Sequence, residues 1–168
     1  MRLKKQTAYL CRLAVLSALA LALSTLEAVF TPVLPPGAKA GISNIVTMYA
    51  AASLGLPAAL AVALAKAFYA LATRGVVAFG MSLVGGALSA TVLFLLFRYV
   101  RGRLGTLGIS VVGAAVHNVA QGLFALLIFG KAILGYLPIL LLLSLPSGIL
   151  TGAIMHAACG VQYRKEFP

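Results

Sequence analysis

Apolar runs long enough to enter or cross a bilayer recur from one end of this sequence to the other, and no other feature restricts its fold as strongly. Hydropathy divides the chain into spans at about residues 10–30, 43–55, 57–73, 76–97, 106–130 and 133–160. A straight helix needs about 20 residues to cross a hydrocarbon core of about 30 Å. The sequence therefore predicts an all-α, polytopic membrane protein, a single transmembrane domain over residues 1–168 built as a bundle of six helices. The second and third spans are short and parted only by Gly55-Leu56-Pro57. Residues 31–55 are thus expected to include an irregular or re-entrant entry, which membranes tolerate only where it is buried in protein or lines a cavity.

Composition excludes the main alternatives. Of 168 residues, 62% are hydrophobic and 9% charged, against about 25% charged in a soluble domain. Such a chain cannot cover a water-facing surface, and six spans leave no room for a separate catalytic domain. The formal charge of +11 would point to nucleic acid in a soluble protein. Here the bases flank apolar spans instead, as expected of loops on the cytoplasmic side, and no nucleic-acid partner is expected.

Three basic clusters set the orientation. Arg2, Lys4, Lys5 and Arg12 precede or open the first span, Arg98, Arg101 and Arg103 follow the fourth, and Arg164 and Lys165 follow the sixth. All three fall on one side if the chain crosses six times, which puts both termini in the cytoplasm and the protein in the cell membrane. The basic start also resembles a signal peptide, but the apolar stretch runs on to Phe30 and is longer than an ordinary signal core, so a retained first helix is expected. Cys11 and Cys159 have no partner at metal spacing and read as reduced thiols.

On the first helix Ala14, Ala18 and Ala22 recur every four residues. Such small-residue stripes let helices approach closely. This one either packs inside its own bundle or docks a partner subunit.

Ionisable side chains at bilayer depth cost about 2.5–3.5 kcal/mol each on insertion scales. Glu27, Lys39, Asn44, Lys66 and Arg74 fall in or beside the spans, with His117, Asn118 and Gln121 in the fifth. His117 and Gln121 are one helical turn apart and share a face with Asn118 beside them. All eight can point into one cavity in the outer half of the bundle, cationic on balance and suited to a small solute with an anionic or carbonyl-rich end. The plainer alternative is a set of interhelical hydrogen bonds, with Lys66 snorkelling.

The sequence contains no aspartate, and its only carboxylates are Glu27 and Glu166. Paired-carboxylate chemistry, a Mg²⁺ site and nucleotide-binding fingerprints are all missing, and His117 and His156 lie too far apart for zinc. No catalysis, metal or cofactor is expected.

The stretch Glu27 to Pro32, the run Pro36-Gly-Ala-Lys-Ala-Gly-Ile-Ser-Asn-Ile-Val-Thr47, the run Gly85-Gly-Ala-Leu-Ser89 and the run Gly113-Ala-Ala-Val-His-Asn-Val-Ala-Gln121 resemble the Gx transporter family, also called heptaprenyl diphosphate synthase component I. Lys66 stands where that family is expected to carry arginine, which keeps the charge and loses a bidentate donor. The family in turn resembles the substrate-binding S components of energy-coupling factor transporters.

That resemblance implies six helices and a solute site in the outer half, lined by Glu27, Lys39, Asn44, His117, Asn118 and Gln121. It also implies that Ala14, Ala18 and Ala22 dock on a transmembrane coupling subunit driven by two ATPases. The expected function is uptake of a small vitamin-like or isoprenoid-related solute. The other name implies a non-catalytic membrane subunit of polyprenyl diphosphate synthesis, since the synthases themselves resemble one another through aspartate-rich motifs.

Overall fold

The computed structural model describes residues 2–30, 41–133, 135 and 137–159. The described residues form six α-helices and no strand: α1 (Arg2–Phe30), α2 (Asn44–Ser53), α3 (Leu56–Arg74), α4 (Val76–Tyr99), α5 (Arg101–Phe129) and α6 (Leu137–Cys159). A short 3₁₀ turn, Gly130–Ile133, follows α5. Five helices are long and apolar enough to cross a membrane. The expected sixth span is α2, whose ten residues reach only about 15 Å, half of a hydrocarbon core.

This short helix occupies the middle of the bundle. It packs against α1, α3, α4 and α6, and Val46, Thr47, Met48 and Ala50–Ala52 are buried. A half-length span is stable there because its ends meet protein rather than lipid. Gly41 leads into it with φ of 79°, a left-handed conformation that favours glycine. The Gly41 carbonyl accepts bonds from the Asn44 amide at 2.9 Å and from Thr151 Oγ1 of α6 at 3.1 Å.

Helices α3 to α6 run up and down in order, each antiparallel to the last. Gly80, Gly85 and Leu93 of α4 lie opposite Phe124, Gln121 and Gly113 of α5. Gly122, Val111 and Leu107 of α5 likewise meet Leu137, Gly148 and Gly152 of α6. Lipid supplies no hydrophobic drive between helices, so such small residues give the close backbone contact that holds the bundle. On the other side Phe68 of α3 meets Phe79 of α4 in a tilted ring contact, centroids 5.5 Å apart.

Helix bounds follow local chemistry. Pro57 sits in the first turn of α3, where its missing N–H is no loss. Gly75, with φ of 86°, is the whole connection between α3 and α4. At Gly105 the backbone leaves helical geometry, so the continuous part of α5 begins at 106, where the apolar run begins. The helix of α1 starts near Arg2, eight residues before the apolar run, because Lys4 and Lys5 are good helix formers that hydropathy does not register. The beginning of α1, the α4–α5 corner with Arg98 and Arg103, and the end of α6 all lie at one end of the bundle. Arg164 and Lys165 lie outside the described residues.

The stripe of Ala14, Ala18 and Ala22 faces away from the bundle and is exposed, as are Val15, Leu19 and Leu26. It is Ala20, on the opposite face, that is fully buried. The stripe therefore does not pack inside its own bundle.

Candidate functional site

The costly polar side chains converge. Glu27 of α1, Asn44 of α2, Lys66 and Arg74 of α3, and His117 and Asn118 of α5 line one cavity of about 30 Å³. Ser82 of α4 and Ser147 of α6 complete it, so all six helices contribute. Lys39 lies outside the described residues.

Glu27, Asn44, Lys66, His117 and Asn118 are each held by an identifiable partner. Glu27 is buried, 5% exposed, and its Oε2 accepts a bond from Ser43 Oγ at 2.8 Å. Lys66 Nζ donates to Asn44 Oδ1 at 2.6 Å, tying α3 to the first turn of α2. The snorkelling alternative for Lys66 is thereby set aside, since the ammonium turns inward to an amide and not outward along the helix. Arg74, at the last turn of α3 about 12 Å further along that helix, is exposed and forms the rim. Asn118 Nδ2 donates to the Leu140 carbonyl of α6 at 3.0 Å.

Gln121 takes a different place from the one its sequence position implied. It does not line the cavity but lies buried behind His117, its Nε2 2.9 Å from His117 Nε2. Its side chain reaches the cavity only through this contact with the imidazole. The two can pack there because of Gly85: a Cβ at that residue would lie 2.7 Å from Gln121 Cγ and 3.0 Å from the His117 carbonyl oxygen.

The N-terminus of α2 faces this cavity through Asn44, with Ser43 and Gly41 beside it. A helix N-terminus carries a partial positive charge, and one that begins inside a bundle adds it to the site directly. Lys66 and Arg74 add two full charges against the single carboxylate of Glu27. A volume of about 30 Å³ suits one or two waters.

Hydroxyl residues are what sequence reading did not find. Ser24, Ser43, Ser82 and Ser147 line the cavity. Ser82 and Ser89 recur at seven residues on α4, and Ser144, Ser147 and Thr151 recur at three and four on α6. Such spacing puts each set on one helical face, and that periodicity is the signal that could have found them. Among the described residues no group of three or more His, Cys, Asp or Glu side chains could hold a metal ion.

Comparison with known families gives one match. The profile of a family described as heptaprenyl diphosphate synthase component I covers residues 16–158. No curated protein and no solved structure matches the chain.

Proposed function

The chain belongs to the heptaprenyl diphosphate synthase component I family, and from that premise we propose that it is the solute-binding subunit of a membrane importer. One observation carries this reading: ionisable and amide groups from four helices, with a serine from each of the other two, meet in a single cavity inside an otherwise apolar bundle. Ionisable groups at membrane depth are costly, and they gather where a solute or ion path needs them. The excess of cations over carboxylate, with the N-terminus of α2, selects a solute with an anionic or carbonyl-rich end.

Glu27, Lys39, Asn44, Lys66, Arg74, His117 and Asn118 are the proposed ligand residues, and Gln121 holds His117. A solute larger than water enters when the cavity widens. Helix α1, which packs chiefly on α2 and α3, is the element whose displacement opens it. The chain has no nucleotide-binding motif, so energy comes from a partner: a transmembrane coupling subunit with two ATPases, docked on the exposed Ala14, Ala18 and Ala22. The basic clusters at one end of the bundle support a multi-pass plasma-membrane protein with both termini in the cytoplasm.

The family's description favours a second reading. Lys66, Arg74 and the α2 N-terminus suit a diphosphate as well as a carboxylate. In that case the chain is a non-catalytic subunit presenting a prenyl diphosphate to a soluble synthase, the chemistry residing in the partner. Affinity purification from native membranes separates the two. Recovery of a coupling subunit with ATPases supports import. Recovery of a prenyl synthase without them overturns it in favour of the accessory role.

A further inference from the structure

Two buried hydroxyls lie beyond the site just described. Thr47 Oγ1 of α2 and Ser110 Oγ of α5 have no hydrogen-bond partner among the described residues, although Thr47 is 4% and Ser110 3% exposed. A buried hydroxyl left without a partner is destabilising, and nearly all such groups in folded proteins are satisfied by protein or by water.

Each of them lines its own small cavity. Thr47 shares one of about 10 Å³ with Asn44, Lys66, Ser82, Ser89 and His117. Ser110 shares another of about 10 Å³ with Ser89, Ser147, Thr151 and Met48. Asn44 lines both of these and the main cavity as well, and Ser89 lines both. The two spaces thus flank the first turns of α2 and continue the main cavity. Along α5, Ser110 lies about 10 Å beyond His117, towards the basic end.

We propose that both cavities are resident water sites, so that the polar site continues past His117 as a hydrated track reaching Ser110. The volume of each admits about one water, and a water needs two to four polar partners. In the first cavity Thr47 donates to the water, the water donates to Ser89 Oγ, and Lys66 keeps ammonium protons to give beyond the one on Asn44. In the second, Ser110 donates to the water, which in turn donates to Thr151 Oγ1 and Ser147 Oγ. Ser89, Thr151 and Ser147 spend their own protons on the carbonyls of Gly113, Gly41 and Ser144 and so present lone pairs. Empty cavities in proteins are apolar, and these are not. The consequence is a polar path through the bundle core that hydration keeps open. It stands whether the solute is imported or presented to a synthase.

Two measurements on the full chain in nanodiscs test it. Thr47→Val keeps the shape and removes only the hydroxyl. With a water bound the substitution lowers Tm by about 2–4 °C, the shift that one lost buried hydrogen bond produces in a chain of this size; in a dry cavity it removes an orphan group and raises Tm.

The second is X-ray-pulse hydroxyl-radical labelling read by mass spectrometry. Met48, 1% exposed, lines the Ser110 cavity, whereas Met155, also 1% exposed, lines neither. The expected result is oxygen addition at Met48 and not at Met155, with Met48 labelling reduced in Ser110→Ala. Equal protection of the two methionines, or a raised Tm in Thr47→Val, overturns the proposal. A Tm that rises with sodium chloride but not with choline chloride also overturns it, by assigning the Ser110 cavity to a cation.

Discussion

Replacing Gly85 by alanine tests the packing on which the site depends. The added Cβ would stand 2.7 Å from Gln121 Cγ and 3.0 Å from the carbonyl oxygen of His117. The first neighbour is a side chain that can turn away. The second is backbone in the middle of α5 and can yield only if the two helices part. Over-packing of this kind costs about 1–3 kcal/mol. For a chain of this length that corresponds to roughly 2–12 °C in Tm.

The turning of Gln121 also breaks its contact with His117, so the imidazole loses its fixed orientation and ligand affinity falls together with stability. Gly102→Ala is the control, because nothing lies within 4 Å of a Cβ there. Thermal unfolding of both variants in nanodiscs, followed by intrinsic tyrosine fluorescence, gives the comparison. A Gly85→Ala protein as stable as the Gly102→Ala protein would refute the close α4–α5 contact and the support it gives to His117.

Other substitutions separate the roles assigned to individual residues. Ser43→Ala removes one partner of the buried Glu27 carboxyl and should cost about 1–3 kcal/mol, seen as a lower Tm with the helical circular dichroism retained. Ala14→Trp with Ala18→Trp should leave Tm within about 1 °C, as expected of exposed positions, while abolishing co-purification of a coupling subunit. A large loss of stability would show that the stripe packs within the bundle. Lys66→Met should abolish retention of an anionic solute, whereas Lys66→Arg keeps the charge and should restore part of it; equal retention by all three proteins would remove Lys66 from the site.

How much of this was legible in the sequence follows from what each residue costs in a membrane. Glu27, Lys66 and His117 stood out because ionisable groups are rare in apolar runs, and they do meet in one cavity. Asn44 could be placed because a span of about thirteen residues is too short to cross, so its beginning had to lie within protein. Serine carries no such cost. Thr25 and Thr91 only return bonds to the carbonyls of Leu21 and Ala87 four residues earlier, an ordinary helical habit, and apart from the seven-residue recurrence of Ser82 and Ser89 nothing local distinguishes the lining hydroxyls from them.

Gln121 shares a helical face with His117, but spacing does not reveal which of two neighbours stands in front. The inward turn of Lys66 was equally hidden, since snorkelling and bonding to Asn44 use the same side chain. The count of six helices was readable from hydropathy, but the depth at which α2 begins depends on its contacts with α1, α3, α4 and α6.

Native mass spectrometry of the purified chain, released gently from detergent, tests the central claim most directly. The expected result is a single small-molecule adduct that is neither lipid nor detergent, present in the natural protein and lost in Lys66→Met and His117→Ala at unchanged helical content. Retention of the same adduct by both variants, or a natural protein that carries only lipid from membranes where the solute is supplied, would contradict a solute site formed by Glu27, Asn44, Lys66 and His117.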